Sequence, residues 1–357
     1  MTLPAPKPAR DPDPPPRLSV VIRSYNRLPA LCELIEALLA QRHDSFEVVV
    51  IEQSTETPAD AVARLAEHER DRRLRVHRFP PLGGARARNR GIQHARGEIV
   101  LFIDDDDLPI GDEFLASMEG LFREDPRCVA VTCRHVWDAD RRPSWVYRML
   151  ARRLGMRFSL VLRLPDNFAC HDERLVGRHY VHGTGGAFRR AVFERFGGWD
   201  EDTPIEDETS LGIRMHQGLE RGEYVAFDPR ASVRRGFDLA GGLDKRRHTP
   251  ARYFARFMTF IHNILGRYYP VRVRLLYPFY VFGAWRFTIG WLWDDSLAHD
   301  TTLKRILGTL GFTLALPYHA AKALGRPLGR LPGTGAGVRE LVGRGAGEAP
   351  AHERAGG

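Results

Sequence analysis

The sequence predicts an α/β fold, a mainly parallel sheet flanked by helices, followed by a C-terminal helical extension. Three observations carry this. Short apolar runs alternate with helical patterns from the first strand signal onward, each run is followed by a polar cluster, and past about Asp244 the strand signal gives way to aromatic-rich helices. Strand-helix alternation of this kind requires parallel strands joined by right-handed crossovers.

Taken in order, LSVVI (18–22) is the first strand and a helix follows over 29–41. FEVVVI (46–51) precedes a helix over 58–70, LRVHR (74–78) precedes one over 85–95, and EIVLFI (98–103) is the fourth strand. A helix over 113–123 and the apolar run CVAVTC (128–133) come next. After an irregular, basic stretch, GGAFRR (185–190) reads as a strand entering a helix near Arg190, GGWDED (197–202) as a turn, and ETSLGIRMHQG (208–218) as a second helix with Glu206 and Asp207 at its N-terminal end. The expected organisation is a proline-rich disordered tail (1–17), one α/β domain (18–244), a helical region (245–325) and a second disordered tail (326–357) rich in Gly, Pro, Ala and Arg.

Composition narrows the class. A chain of 357 residues that is 43% hydrophobic and 27% charged is long enough for a large core. The net charge is +8, and only Lys7, Lys245, Lys304 and Lys322 among the 53 basic residues are lysines, so arginine dominates. Arginine forks suit phosphates, although heavy arginine usage also follows genome composition. Cys32, Cys128, Cys133 and Cys170 have no CxxC spacing. Neither disulfides nor a zinc site is expected, and with no cleavable signal before the first strand the expected setting is the reducing cytoplasm.

In open α/β sheets ligands bind beyond the carboxyl ends of the strands. Here RSYNR (23–27), EQST (52–55), PPLGGAR (80–86) and DDDD (104–107) each follow a strand, so four polar loops are expected on one rim. Four consecutive acids need compensation, because two carboxylates about 4 Å apart repel by about 4 kcal/mol at a protein surface. A hard dication with oxygen ligands supplies it, and Mg²⁺ takes one or two carboxylates plus substrate phosphates. In D-x-D spacing, Asp104 and Asp106 fall on one side of an extended stretch, leaving Asp105 or Asp107 to turn toward a ribose hydroxyl or a backbone amide. A solvated acidic turn is the bland alternative. In GGARARNRG (83–91), Gly83 and Gly84 permit close backbone approach, while Arg86, Arg88 and Asn89 offer donors for phosphate and ribose oxygens; an ordinary basic helix start has the same composition. Asp207 suits a general base acting on an alcohol, and equally a helix cap.

Together these stretches resemble family 2 glycosyltransferases of the GT-A type, a Rossmann-like fold. The resemblance covers about residues 18–240 and rests on LSVVIRSYNR, FEVVVIEQST, GGARARNRGIQHARGEIVLFIDDDD, and GGAFRRAVFERFGGWDED followed by IEDETSLGIRM, in the family's order and spacing. It implies an inverting enzyme that moves a sugar from a nucleotide-diphosphate donor to a hydroxyl acceptor, a glycan or lipid-linked glycan, with Mg²⁺ or Mn²⁺ as cofactor. It implies Asp104 and Asp106 as the metal-holding D-x-D pair, Asp207 with Glu206 as the catalytic pair, and Ser24, Tyr25, Asn26, Glu52, Gly84, Arg88, Asn89, Asp104 and Asp105 as donor-binding residues. Three positions depart from the family pattern. Gln53 follows Glu52 where a second acid is common, Arg23 stands where proline is usual, and VRRGF (233–237) carries Arg234 and Arg235 where some relatives place a metal-contacting histidine. Those arginines are expected either to grip the diphosphate or to leave the metal more loosely held.

Residues 275–293 form a 19-residue apolar stretch interrupted by Arg286. One arginine near the middle costs about 2.5–3.5 kcal/mol on insertion scales, which makes spanning the least favoured outcome. Flanking Trp and Arg residues favour helices lying in the headgroup plane, on the inner face of the cell membrane, over a helical subdomain packed on the sheet. Two other classes compete with the glycosyltransferase reading. A sugar nucleotidyltransferase would open with a glycine-rich phosphate loop and a lysine after the first strand, which RSYNR lacks. A nucleic-acid-binding protein is suggested by net charge alone and opposed by converging carboxylates, so no nucleic-acid partner is expected.

Overall fold

The structure, a computed structural model, describes residues 14–136, 174–177, 181–201, 207–236, 249–293 and 302–324. Both expected tails, apart from residues 14–17, lie outside these ranges, as do Glu206 and Cys170.

Strands β1 (Leu18–Ser24), β2 (Phe46–Glu52), β3 (Leu74–Arg78) and β4 (Ile99–Asp104) are parallel and lie side by side in the order β3-β2-β1-β4. Helices α1 (Leu28–Leu39), α2 (Ala59–His68) and α3 (Gly84–His94) make the crossovers. β1, β2 and β4 are largely aliphatic because both of their faces are covered, whereas the edge strand β3 (LRVHR) buries Leu74 alone. Val20, Ile22, Val48, Val50, Leu101 and Ile103 pack toward α1, α2 and α4 (Phe114–Glu124) on one face. Alternate residues Val21, Val49, Ile51, Val100 and Phe102 pack toward α3 on the other. β1 and β4 extend past the expected ends because they continue to pair as far as Arg23 opposite Asp104.

The second half of the sheet is mixed. β6 (Cys128–Val136) and β9 (Tyr224–Arg235) run parallel to each other, whereas β8 (Gly186–Arg189) is antiparallel to both β4 and β6, and β7 (Leu175–Val176) is antiparallel to β9. Three strands have no counterpart among the expected elements, the short β7 and two others. β9 lies beyond the expected second helix, and Asp228 and Pro229 break its apolar pattern. β5 (Asp107–Pro109) begins inside the acidic run itself. The run is therefore not one extended stretch: Asp105 and Asp106 form a turn, and β5 pairs antiparallel with the end of β9, Asp107 opposite Arg235. Helices α5 (Arg190–Phe196) and α6 (Asp207–Gly218) follow β8, matching the expected strand, helix and second helix.

Beyond residue 249, α7 (Pro250–Phe260) continues through a π-helical turn (Ile261–Leu265), followed by α8 (Pro270–Leu275), α9 (Tyr277–Leu292) and α10 (Thr302–Leu324). Thr249 caps α7 by accepting from the Arg252 N–H. The apolar stretch 275–293 is split between α8 and α9. Tyr280, Ala284 and Ile289 of α9 pack with Phe254, Phe257 and Met258 of α7, and Arg286 is buried with its guanidinium over the Phe287 ring. Ile213 of α6 joins the same core, and Arg267 pairs with Asp200 at 3.3 Å, so the helical region docks on the α/β domain. Among the described residues no helix is long and apolar enough to cross a membrane.

Candidate active site

β1 and β4 are neighbours whose carboxyl ends carry opposite charge, and this brings the acidic turn against the loop after β1. The Arg23 Nε donates to Asp104 at 3.0 Å, and the Arg88 guanidinium approaches the same carboxylate at 3.6 Å from α3. Arg27 Nη1 donates to Asp106 at 2.7 Å and to Asp105 at 3.2 Å, and the Ser24 hydroxyl donates to Asp105 at 2.8 Å. On the far side, the Thr184 hydroxyl donates to Asp107 at 2.6 Å and accepts from the Asp104 N–H at 3.0 Å. Arg235, placed by the β5–β9 register, lies 3.4 Å from Asp107. Four guanidiniums, from β1, the β1–α1 loop, α3 and β9, thus face the four acids.

Asp104, Asp106 and Asp107 each present a carboxylate oxygen within 4.8 Å of the others. Their protonation equilibria diverge. Burial works to raise Asp104, but Arg23, Arg88 and Arg235 outweigh it and hold the carboxyl well below the usual range. Burial raises Asp106, with Asp104 adding to the effect against Arg27. Burial likewise pushes Asp107 up to about 7 despite Arg235, and Asp105 up to about 6 despite Arg27. The arginines therefore satisfy Asp104 and leave repulsion at the other three. Three converging hard oxygens with residual repulsion fit a hard dication such as Mg²⁺ or Mn²⁺. The fit includes Asp107, which the D-x-D spacing did not single out; the turn that starts β5 folds it back toward Asp104.

The other expected residues are distributed as follows. Arg88 is buried, with its guanidinium 5.2 Å from the Trp199 ring and against Gly183, where a Cβ would stand 2.5 Å from the Arg88 nitrogen. Gly84 makes room for Arg23: a Cβ there would fall 1.9 Å from Arg23 Nη1. Tyr25 is exposed on the rim. Glu52 accepts from the Ser54 N–H, and Gln53 accepts from the Leu82 N–H, tying the second loop to the third. Asn26, at φ 55°, accepts from the Thr55 and Glu56 N–H groups, so it joins the first loop to the second. Asn89 is expected to offer donors to a ligand, but its amide is engaged elsewhere. It accepts from the Trp199 N–H and donates to the Trp199 carbonyl and to Glu201. α6 begins at Asp207, and its next residue, Glu208, lies near enough to raise the Arg235 pKa, although burial acts first and in the opposite direction. Glu208 therefore lies within electrostatic reach of Arg235, the guanidinium that pairs with Asp107. Arg23, Arg27 and Thr184 are site residues that sequence reasoning did not assign, and Asp107, expected to face a ribose hydroxyl or a backbone amide, converges instead with Asp104 and Asp106. The available signals were the arginines of RSYNR and the glycines bracketing Thr184 in HGTGG.

With this geometry established, comparison with known proteins identifies the class. The model of glycosyl transferase family 2 matches residues 19–197, and the chain belongs to that family. Its architecture is that of the GT-A enzymes. A mannosyltransferase from Pyrobaculum calidifontis, solved in complex with GDP-Man and Mn²⁺, superimposes with a TM-score of 0.51 at 25% identity, covering 88% of this chain and 87% of that one. The succinoglycan biosynthesis protein ExoW of Rhizobium meliloti is 34% identical over 190 residues, 50% of this chain and 57% of its own length. The glucosyl-dolichyl phosphate glucuronosyltransferase of Haloferax volcanii is 26% identical over 235 residues, 61% of this chain and 68% of its own. A glycosyltransferase of Rickettsia felis is 35% identical over 92 residues, of which this chain spans only 15% of the length.

Proposed function

We propose that this protein is an inverting, metal-assisted glycosyltransferase that moves a sugar from a nucleotide-diphosphate donor to a hydroxyl acceptor in the synthesis of a polysaccharide, glycolipid or cell-surface glycan. The observation that carries the reading is the convergence of Asp104, Asp106 and Asp107 at the carboxyl edge of the sheet, ringed by Arg23, Arg27, Arg88 and Arg235. A bound Mg²⁺ or Mn²⁺, held by Asp104, Asp106 and Asp107, would neutralise charge developing on the departing diphosphate. The arginines add fork-shaped donors for the pyrophosphate oxygens. Ser24, Tyr25 and Glu52 line the donor's side of the rim. Asp207, at the start of α6, takes the proton from the acceptor hydroxyl as that oxygen attacks opposite the leaving group, with Glu206 beside it. The Mn²⁺ and GDP-Man of the Pyrobaculum neighbour support the cofactor and the donor class.

The reading extends to the membrane surface, on the inner face of which lipid-linked acceptors would be met. Leu303, Leu307, Leu310, Leu314 and Tyr318 of α10 recur at helical spacing, and each is more than half exposed. Exposed Lys304 and Lys322 flank that stripe, and exposed Arg272 and Arg274 alternate with exposed Val271 and Leu275 on α8. An apolar stripe edged by cations suits the interface of an anionic bilayer.

The test is a thermal-shift screen of nucleotide-diphosphate sugars with Mn²⁺, with Mg²⁺ and with a chelator. Stabilisation by at least one donor, larger with the cation, is expected. No shift with any donor in any condition overturns the reading. Asp207→Asn is expected to keep the donor-induced shift and to lose transfer, and unchanged turnover would remove Asp207 from the base role.

A further inference from the structure

We propose that Arg27 is a latch coupling the metal to the diphosphate: it holds Asp106 in the ligand-free protein and passes to the pyrophosphate oxygens of the donor when a dication takes that carboxylate. The inference rests on the proposed function and adds to it a residue and an order of events.

The first argument is positional. A single nitrogen, Arg27 Nη1, bridges two acids of the turn, Asp106 at 2.7 Å and Asp105 at 3.2 Å. Asp106 is also one of the three carboxylates that converge closely enough to share a cation. Arg27 and a cation therefore compete for the same carboxylate. The second argument is charge. Arg23, Arg27, Arg88 and Arg235 stand against Asp104, Asp105, Asp106 and Asp107, four formal charges of each sign. A dication entering alone would leave this largely buried group two charges positive, with guanidiniums at ion-pair distance from its ligands. A diphosphate arriving with it restores the balance. Metal and diphosphate are then expected to bind as a pair, each strengthening the other by the same factor.

The third argument distinguishes Arg27 from its neighbours. The Arg88 guanidinium is wedged between the Trp199 ring and Gly183. Arg23 occupies the notch left by Gly84. Arg235 is set by the register that pairs its backbone with Asp107. Arg27 is carried by the loop between β1 and α1, directly before the first residue of α1, and reaches the turn through its side chain alone. Exchange of a carboxylate for a phosphate at Arg27 requires side-chain rotation and moves no element of the sheet.

The experiment measures Mn²⁺ affinity by calorimetry or by the spectrum of the free ion. It is run without additive, and with saturating UDP, GDP, dTDP, ADP or inorganic pyrophosphate as probes, on the whole chain. Wild type is expected to bind Mn²⁺ weakly alone and about tenfold or more tightly with at least one probe, within the usual range of coupling between sites. Arg27→Ala is expected to bind Mn²⁺ alone more tightly than wild type and to lose most of the enhancement. Arg27→Gln, which keeps the side-chain length, is expected to do the same and serves if the alanine variant fails to fold. Variant affinity equal to or below wild type, with the enhancement intact, overturns the latch and leaves the site reading standing. Failure of wild type to bind Mn²⁺ with any probe overturns the site reading and the latch together.

Discussion

Asp104 and Asp107 are separated by three positions, yet the same substitution is expected to act differently at each. Asp104 neutralises Arg23 and the buried Arg88, so Asp104→Asn leaves guanidinium charge under-compensated and should cost about 1–3 kcal/mol in urea unfolding. Asp107 is raised by burial and repelled by Asp104 and Asp106, so Asp107→Asn removes repulsion along with the Arg235 pairing. Its stability in chelator should stay within about 1 kcal/mol of wild type, while its Mn²⁺ binding falls with that of Asp104→Asn. Equal destabilisation of the two variants would contradict this picture of the field. Glu47, at the opposite end of β2, sets a pH dependence independent of the site. Burial would raise it, but the Ser19 hydroxyl, the Arg96 N–H and the Arg75 and Arg96 guanidiniums hold its carboxyl below the ordinary value. The folded state therefore binds this proton less readily than the unfolded chain does. Its stabilisation is complete above the unfolded carboxylate range, about pH 4–5, and is lost as pH falls through the lower folded value. Glu47→Gln should lower the urea midpoint at pH 7 and flatten the acid limb of stability against pH. The residues of this site were unevenly legible in sequence. The acids announced themselves as a run at a strand end, whereas Arg23 and Arg27 gained meaning only once β1 and β4 were known to be adjacent. At Asn89 the sequence is silent on orientation, because an amide in a basic loop looks the same whether it faces a phosphate or, as here, bonds the backbone of Trp199.

Helix α3 rests on β1 through a glycine. A Cβ at Gly91 would lie 2.1 Å from Val21 Cγ1 and 3.3 Å from its Cβ, and Val21 is a buried β-branched residue inside the sheet. Gly120, within α4, has nothing within 4 Å of a would-be Cβ. Alanine raises helix propensity at both positions by about 1 kcal/mol, but at Gly91 overpacking of about 1–3 kcal/mol opposes that gain. Gly120→Ala should therefore raise the melting temperature and Gly91→Ala lower it, and because α3 carries Arg88, the second variant should also weaken donor-induced stabilisation. A rise in melting temperature for both would show that α3 can lift from β1 without cost. The elements follow the same logic as the site. β1, β2, β4, α1 and α2 were legible as aliphatic or amphipathic runs, whereas β3 and α3 were legible chiefly from the strand-helix alternation that sets their places. β5 has three residues and is acidic at its first, so nothing local marks it; it exists because β9 offers an edge. β9 itself carries Asp228, Pro229 and Arg230 in its interior, where the Arg230 guanidinium pairs with Asp228 and Glu124 at the surface. Pairing with β6, which shifts register there, holds the strand together where its sequence does not.

At the scale of the whole molecule, the helical region links two surfaces with different chemistry. One side is a core of Phe254, Phe257, Phe260 and Tyr280 that receives Ile213 from α6, the helix that begins at Asp207. The other side is the exposed stripe of α10. A bilayer in contact with that stripe would be tied, through packed helices, to the side of the domain proposed to receive the acceptor. Apolar burial and electrostatic attraction would share the binding energy, and they respond to different variables. Leucine insertion is worth about 1.5–3 kcal/mol for a fully buried side chain and is indifferent to salt, whereas attraction of Lys and Arg to anionic lipid is worth about 1 kcal/mol each near the surface and is screened within a Debye length. The protein should co-sediment with phosphatidylglycerol-containing vesicles and much less with phosphatidylcholine alone, and raising salt from about 0.1 M to about 0.5 M should weaken binding without abolishing it. The double variant Leu307→Asp, Leu314→Asp alters only exposed positions of α10. It should reduce vesicle binding by more than about tenfold while leaving the melting temperature and the donor-induced shift as in wild type, because it removes apolar insertion and adds charge repelled by the anionic surface. If the double variant binds the vesicles as well as wild type does, the stripe is not the contact. If wild type stays in the supernatant with anionic vesicles at low salt, membrane attachment through this region is refuted.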